Sequence, residues 1–98
     1  MNPDEIVTAL RAAKDLLWRE HGVRALWLFG PAARRDAAPA REVDIMLELV
    51  EPPEVRRFMA LRLRLEALLN GAKVEPILRP HEIPEGTDDP ATDAIRVF

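Results

Sequence analysis

The chain has 98 residues, of which 48% are hydrophobic and 32% are charged, and its formal net charge is −3. This length fits one compact domain with a single core, and the net charge argues against a nonspecific nucleic-acid binder, which would carry a basic excess. The sequence contains neither cysteine nor serine, which excludes disulfides, cysteine-bound zinc and a serine or cysteine nucleophile.

The first predicted element is a helix that begins after Asn2. Asn2 is a typical N-cap, Pro3 suits the first helical position, and Glu5 suits the reciprocal contact of a capping box. Gly22 can adopt the left-handed conformation that ends a helix. One apolar stripe along this helix is predicted to cover a sheet, and its residues are Ile6, Leu10, Ala13 and Leu17.

An apolar run at residues 23–29 predicts a strand that is buried on both faces and central in the sheet. Gly30 then permits a sharp turn into a short helix near residues 32–37. The free N–H groups of a helix N-terminus favour a bound anion. Gly30 alone would be an ordinary turn glycine, but the acids that follow it favour the anion-binding interpretation.

The second strand is predicted from about residue 42 to residue 49, with acids where it begins. Alternate residues of a strand share a face, so Glu42 and Asp44 should point the same way. Two neighbouring carboxylates repel unless a cation lies between them, and oxygen ligands of this kind suit Mg²⁺. The alternative is a solvated strand face, but the position of the acids beside the glycine turn favours a metal site.

A second long helix is predicted at residues 54–69, followed by a third strand at residues 72–78. The helix carries arginines on what we interpret as a solvated face, with a polyanion-binding role as the alternative. Pro76 lacks a backbone donor, so the third strand should lie at an edge or contain a bulge. From about residue 80 we expect a loop or mobile tail with a short element at residues 91–98.

The chain has two histidines. His21 is expected near a helix end, where a cation is favoured. His81 follows the third strand and is either an ordinary loop histidine or a contact to a nucleotide or partner.

No membrane partner is expected from the sequence. Its apolar runs are all shorter than the roughly 20 residues that span a bilayer. The acidic N-terminus shows no secretory signal. We therefore expect a cytoplasmic protein.

Together, these motifs resemble a known family. Gly30-Pro31 is followed by the ten residues 32–41 and then by Glu42-Val43-Asp44, and Glu75 lies in the third strand. This pattern resembles the minimal nucleotidyltransferases of the DNA polymerase β-like superfamily, in which Gly-Ser precedes Asp-x-Asp and a third carboxylate follows on a later strand. The segment 33–36, Ala-Arg-Arg-Asp, is similar to the family's Ala-Arg-Gly-Asp. The resemblance covers roughly residues 5–80.

The resemblance implies an α/β (α+β) nucleotidyltransferase fold in a single domain, residues 1–98, with a small mixed sheet of three or four strands and helices packed on it. It also implies Mg²⁺-dependent transfer of a nucleoside monophosphate from an NTP, expected to be ATP, to a hydroxyl group. Glu42 and Asp44 match the metal ligands and, with Glu75, the catalytic acids. The matching nucleotide contacts are Gly30, Pro31 and Arg34.

Three departures from the family pattern bear on activity. Pro31 replaces the serine and so removes both a hydroxyl and a backbone N–H from the phosphate contacts. Glu42 and Glu75 replace aspartates and are longer by one methylene each, whereas Mg²⁺ requires near-ideal geometry. These changes predict weakened or lost catalysis.

The resemblance leaves several functions open. Similar proteins often serve as the antitoxin of a two-protein module with a helical HEPN-type partner, which some of them nucleotidylate. The alternative is a catalytically inactive, antitoxin-like protein that binds such a partner. An enzyme for small hydroxyl compounds would need a further substrate domain, and a nucleic-acid module would need a basic excess or an aromatic platform. Base preference, acceptor and oligomeric state are left open.

Overall fold

The computed structural model describes residues 1–33, 42–80, 86 and 94–98. Across these ranges the helices are α1 (Pro3–Ala12), α2 (Lys14–His21) and α3 (Val55–Leu68), with a 3₁₀ turn at Gly30–Ala33. The strands are β1 (Val23–Phe29), β2 (Glu42–Leu49), β3 (Lys73–Leu78) and β4 (Ile95–Arg96). No helix within this part of the chain is long and apolar enough to cross a bilayer.

The strands form one sheet in the order β3-β2-β1-β4. β1 is antiparallel to both β2 and β4, while β2 and β3 are parallel and are joined through α3. The mixed sheet confirms the predicted fold class, with β1 in the interior and the proline-containing β3 at an edge. Pro76 tolerates this position because an edge strand needs fewer backbone donors.

The N-terminal helix starts as predicted but is interrupted. The Glu5 N–H donates to Asn2 Oδ1 at 2.8 Å, and the Asn2 N–H donates to Glu5 Oε1 at 3.1 Å, which completes the capping box. The prediction of one continuous helix up to Gly22 is wrong, because the backbone of Ala13 leaves helical geometry (φ −97°, ψ 7°). The Ala13 N–H donates to the carbonyl of Leu10, three residues back. Gly22 ends α2 with φ 65°.

The helices pack on one face of the sheet and form the main core with it. Leu26 and Leu28 of β1 are fully buried there, as are Leu61 and Leu65 of α3, each at 1% exposure or less. Burying one such side chain contributes roughly 1.5–3 kcal/mol. Val43, Ile45, Leu47 and Leu49 alternate with the acids along β2 and are buried in the same core.

A β-bulge at Arg24 sets which residues of β1 reach the second face of the sheet, the face opposite the helices. Val23 pairs with Leu49 and Ala25 with Glu48, so Arg24 is the extra residue. Val23 therefore packs in the helix-covered core, whereas Ala25 and the alternate residues after it lie on the second face. A small apolar cluster results there, formed by Ala25, Trp27 and Met46 with Phe29 and Ala94.

The C-terminal residues belong to the sheet. The expected short element at residues 91–98 corresponds to β4, and the Val97 N–H donates to the Leu26 carbonyl at 2.8 Å. Val97 is buried, and its carbonyl accepts Arg11 Nε at 2.9 Å. Residues 81–85 and 87–93 of the expected tail, including His81, lie outside the described residues.

Candidate active site

Glu42 and Asp44 lie at the start of β2 on the second face of the sheet. Both alternate with the buried residues Val43 and Ile45, so their side chains leave the core face. Glu42 is exposed and Asp44 is half-buried. Asp44 stands opposite Phe29, the last residue of β1, which places the acids beside the turn that follows β1.

The backbone at Gly30 makes close contact with Asp44. Gly30 has φ +70°, a conformation that side chains rarely adopt, and a Cβ atom placed there would collide with Asp44 Oδ2. The same Cβ would lie 3.4 Å from Asp44 Cγ. Glycine is therefore required for two reasons, and the turn holds the Asp44 carboxylate against the end of β1.

The surroundings of Asp44 disfavour its charge. Burial, and secondly the negative charge of Glu42, raise the pKa of Asp44 above its ordinary value. A carboxylate pair in this condition binds a cation favourably, because the cation removes the repulsion between the two charges.

Glu75 is placed beside Asp44 but does not join it in a three-acid cluster. The two residues are partners in the parallel pairing of β2 and β3, and the Glu75 side chain is exposed. Val74 anchors this part of β3, since it is buried and its N–H donates to Glu66 Oε2 of α3 at 3.0 Å. Within residues 1–33, 42–80, 86 and 94–98, no three His, Asp or Glu side chains are grouped to hold a metal ion.

The predicted nucleotide contacts are only partly described. Pro31 lies exposed in the 3₁₀ turn at Gly30–Ala33, directly after the glycine. Arg34 lies outside the described residues, as does most of the helix expected near residues 32–37. The turn therefore presents a glycine against the acids and a proline without an N–H donor.

The donor set fits one divalent cation. Mg²⁺ is usually held by one or two carboxylates together with substrate phosphates, and the remaining positions are filled by water. Glu42 and Asp44 supply such a pair, and burial together with the charge of Glu42 raises the pKa of Asp44. The residues present therefore fit the metal that the family pattern implies, and Glu75 is paired with Asp44 in the neighbouring strand.

Two arginines on the second face were missed as candidates from the sequence. The guanidinium carbons of Arg79 and Arg96 lie 5.0 and 5.4 Å from the centre of the Trp27 ring. The available signal was the alternation of Glu75, Ile77 and Arg79, which places Arg79 on the face of Glu75. The position of Arg96 over Trp27 could not be predicted from the sequence, because it depends on the pairing of β4 with β1.

A groove of about 980 Å³ lies at the far end of β2 from the acids, between α2 and the start of α3. It is lined in part by Trp18, His21 and Pro52, and it contains none of the predicted site residues. His21 is the last residue of α2, as expected. The prediction that a positive charge on His21 is favoured there is wrong. Burial, followed by the charge of Arg64, lowers the pKa of His21 despite the opposing effect of Glu20.

Sequence comparison finds relatives of this chain. The chain is 36% identical over 76 residues to the protein adenylyltransferase MntA of Thermococcus cleftensis. The aligned region covers 78% of this chain and 76% of that protein. Over 75 residues the chain is 32% identical to MJ0128 of Methanocaldococcus jannaschii, with 76% of each chain covered. No family model matches the chain.

Solved structures show the same fold. A mutant of the toxin–antitoxin pair MntA–HepT aligns with a TM-score of 0.65 at 13% identity, covering 90% of this chain and 72% of that one. A second MntA–HepT structure aligns with a TM-score of 0.57 at 15% identity, covering 91% and 70%.

Proposed function

This chain belongs to the minimal nucleotidyltransferases, the family of MntA-type protein adenylyltransferases, and from that premise we propose that it transfers AMP from ATP to a hydroxyl group of a protein partner. The observation that carries the proposal is the contact between Gly30 and the carboxylate of Asp44, with Glu42 on the same strand face. A glycine turn against paired acids is the arrangement that the family pattern requires.

In the proposed reaction, the acceptor oxygen forms a bond to the α-phosphorus, and the bond from that phosphorus to the bridging oxygen of the β-phosphate breaks. Pyrophosphate leaves with the electron pair of the broken bond. Glu42 and Asp44 would hold Mg²⁺, which when bound supplies positive charge to the reacting phosphate. Glu75, exposed beside Asp44, takes the proton of the acceptor hydroxyl.

The same residues make the transfer slow. Pro31 offers neither a hydroxyl nor an N–H to the phosphates, and loss of one donor to a developing charge can cost on the order of 10²-fold in rate. Glu42 and Glu75 are longer than aspartate, which loosens ligand geometry. We therefore propose an adenylyltransferase of weakened activity.

For the acceptor we propose a helical, HEPN-type partner in a toxin–antitoxin pair. The structural neighbours are MntA–HepT pairs, and α3 has an exposed apolar strip on its outer side. Val55, Met59 and Leu63 recur at four-residue spacing and are 78%, 51% and 58% exposed. Contiguous exposed apolar surface of this kind marks interaction sites. A cytoplasmic location is part of this proposal.

The second candidate is an antitoxin-like protein that binds its partner without transferring AMP. The specific observation in its favour is that no three carboxylates are grouped around one ion among the described residues. In this case the α3 strip would carry the function and the acids would be a remnant.

One experiment separates the two. The chain is coexpressed with a HEPN-type partner protein and incubated with Mg²⁺ and ATP, and the partner's mass is measured. Transfer predicts a partner heavier by AMP, an adduct that disappears in Asp44→Asn and persists in the control Glu48→Gln, which changes an acid farther along the same strand face. An unmodified partner in a stable complex supports the second candidate, and absence of any complex contradicts both.

A further inference from the structure

Glu66 connects α3 to β3 through a side-chain hydrogen bond. Its Oε2 accepts the N–H of Val74 at 3.0 Å in a partly buried position. Val74 is 4% exposed, so its backbone has little access to water and the N–H relies on Glu66 for a partner. The bond therefore fixes the start of β3 to the end of the helix that precedes it.

The position of Glu66 in α3 is unfavourable for an acid. Glu66 lies in the last turn of the helix, where the helix dipole disfavours negative charge. That turn, residues 65–68, contains no basic residue that would offset the charge. The contact with β3 therefore accounts for an acid at this position, whereas helix stability does not.

Glu66 also fixes the turn between α3 and β3. Its backbone carbonyl accepts the N–H of Gly71 at 2.8 Å, and Asn70, just before that glycine, has φ 57°. These are the long hydrogen bond and the left-handed residue of a Schellman ending. One residue thus holds the end of the helix through its carbonyl and the start of the strand through its carboxylate.

The bond from Val74 lies on the outer side of β3, away from β2. The N–H of Arg79 donates to the carbonyl of Leu47 in β2 at 2.8 Å. Backbone N–H groups alternate in direction along a strand, so that of Glu75 also faces β2 and that of Val74 faces away. Pro76, the next outward position, has no N–H. Val74 is therefore the outward donor at which β3 is held next to Glu75.

This anchor lies one residue from the acid beside the candidate site. Glu75 pairs with Asp44 of β2, and neighbouring side chains of a strand alternate, so Glu75 points to the face opposite Val74. β3 is an edge strand in the order of the sheet. Because the Glu75 side chain is exposed, the backbone of β3 decides where its carboxylate can reach.

We propose that Glu66 is a positioning residue for Glu75. By holding Val74, Glu66 keeps Glu75 in register with β2, so that the Glu75 carboxylate reaches the acceptor hydroxyl. The role of Glu75 as proton acceptor rests on the proposed function. Glu66 itself acts only through the backbone of β3.

The first measurement needs neither ATP nor a partner. Amide hydrogen exchange and the NOEs between the backbones of Asp44 and Glu75 are recorded by NMR in the parent, Glu66→Ala and Glu66→Gln. In Glu66→Ala the Val74 N–H should exchange at least roughly tenfold faster, the value of one hydrogen bond to a charged group, and the NOEs should weaken. Glu66→Gln keeps an acceptor oxygen and should stay close to the parent.

The second measurement is AMP transfer to the HEPN-type partner. Glu66→Ala should lower kcat on the order of 10²-fold, the effect of a misplacement of about 1 Å. KM for ATP should stay unchanged, because Glu75 acts on the acceptor, and Glu66→Gln should restore most of the rate. Ile6→Val, in α1, is the control for lost stability, because it removes one buried methyl outside the α3–β3 connection. It should leave kcat unchanged.

Circular dichroism verifies that each variant is folded. Glu66→Asp serves as a milder substitution, since its carboxylate is one methylene shorter, and it should fall between Glu66→Ala and the parent in exchange and in kcat. It keeps the proposal testable if Glu66→Ala does not fold.

Unchanged Val74 exchange and unchanged NOEs in Glu66→Ala and Glu66→Asp overturn the proposal. An unaltered kcat in Glu66→Ala overturns it as well, as does an equal loss of kcat in Glu66→Gln or in Ile6→Val. The proposed function fails separately, if the parent transfers no AMP to the partner. In that case the exchange and NOE results alone decide whether Glu66 holds Glu75 beside Asp44.

Discussion

The α-carbon of Gly30 faces the carboxylate of Asp44 so closely that a methyl group added there would overlap a carboxylate oxygen. Gly30→Ala should therefore cost roughly 2–5 kcal/mol, from left-handed strain and from displacement of Asp44. Gly71→Ala is a matched control, because Gly71 has φ +85° and no atom within 4 Å of an added Cβ. That control should show strain alone, roughly 1–2 kcal/mol. Urea unfolding measures both, and equal losses would show that the contact with Asp44 is unimportant.

Asp44→Asn should stabilise the metal-free protein at neutral pH. The pKa of Asp44 is raised above 3.8 by burial and by Glu42, so the folded state holds its proton more tightly than the unfolded state. Its contribution to stability is present below the unfolded pKa and is lost as the pH rises through the folded pKa. The difference between Asp44→Asn and the parent should therefore vanish in acid. Unfolding at both pH values, with Glu48→Gln as control, provides the measurement.

With Mg²⁺ present, the parent protein should be more stable than Asp44→Asn. Binding to the folded state alone stabilises it, so added Mg²⁺ should raise the melting temperature of the parent and leave Asp44→Asn nearly unchanged. An equal response in both proteins would remove Asp44 from the metal site.

Pro31→Ser should increase AMP transfer, because it restores a hydroxyl and an N–H donor at the turn. The expected gain is on the order of 10²-fold in rate. Pro31 is exposed, so stability should change little. Pro52→Ser, another exposed proline at the far end of β2, should leave the rate unchanged. An unaltered rate in Pro31→Ser would show that the turn does not contact the phosphates.

Substitutions at Leu65 and Leu63 of α3 should affect stability and partner binding separately. Leu65 is fully buried, and Leu65→Ala should cost roughly 2–5 kcal/mol of unfolding free energy. Leu63 is 58% exposed, so Leu63→Ala should cost less than about 0.5 kcal/mol but weaken binding of the HEPN-type partner. Calorimetry of the complex measures the second effect. Unchanged affinity in Leu63→Ala would place the interface elsewhere.

His21 should make the fold less stable in mild acid. Its pKa lies below 6.5, mainly because of burial and then because of Arg64, and its buried Nε2 has no hydrogen-bond partner within the described ranges. A histidine with a lowered folded pKa contributes stability above its unfolded pKa, and that stability is lost as the pH falls through the folded value. His21→Gln should therefore show a smaller loss on acidification. NMR titration of the ring gives the direction directly.

The strands nearest the site were predictable because the chain marks their ends. β1 and β2 have the predicted bounds, Val23–Phe29 and Glu42–Leu49, since each is an apolar or alternating run bordered by turn residues or acids. The break at Ala13 was not predictable, because the apolar repeat continues through it. Local patterns describe single elements well in this chain.

The approach of Arg79 and Arg96 to the Trp27 ring could not be predicted, because it depends on pairing between distant segments. Arg96 reaches Trp27 only through the pairing of β4 with β1, and β4 has two residues, too few for a periodic signal. The bulge at Arg24 also decides that Trp27 shares a face with Met46. Strand register places Glu75 beside Asp44 but does not predict that, among the described residues, the three acids are not grouped around one ion.

The two-residue strand β4 also has a consequence for self-association. β1 is apolar along most of its length, and without β4 the backbone groups of Leu26 and Leu28 on that side would be free to pair with another chain. Exposed apolar edges of this kind template aggregation. A chain shortened before residue 94 would lose this cover, so we expect it to precipitate or form fibrils rather than remain as a dispersed, folded monomer.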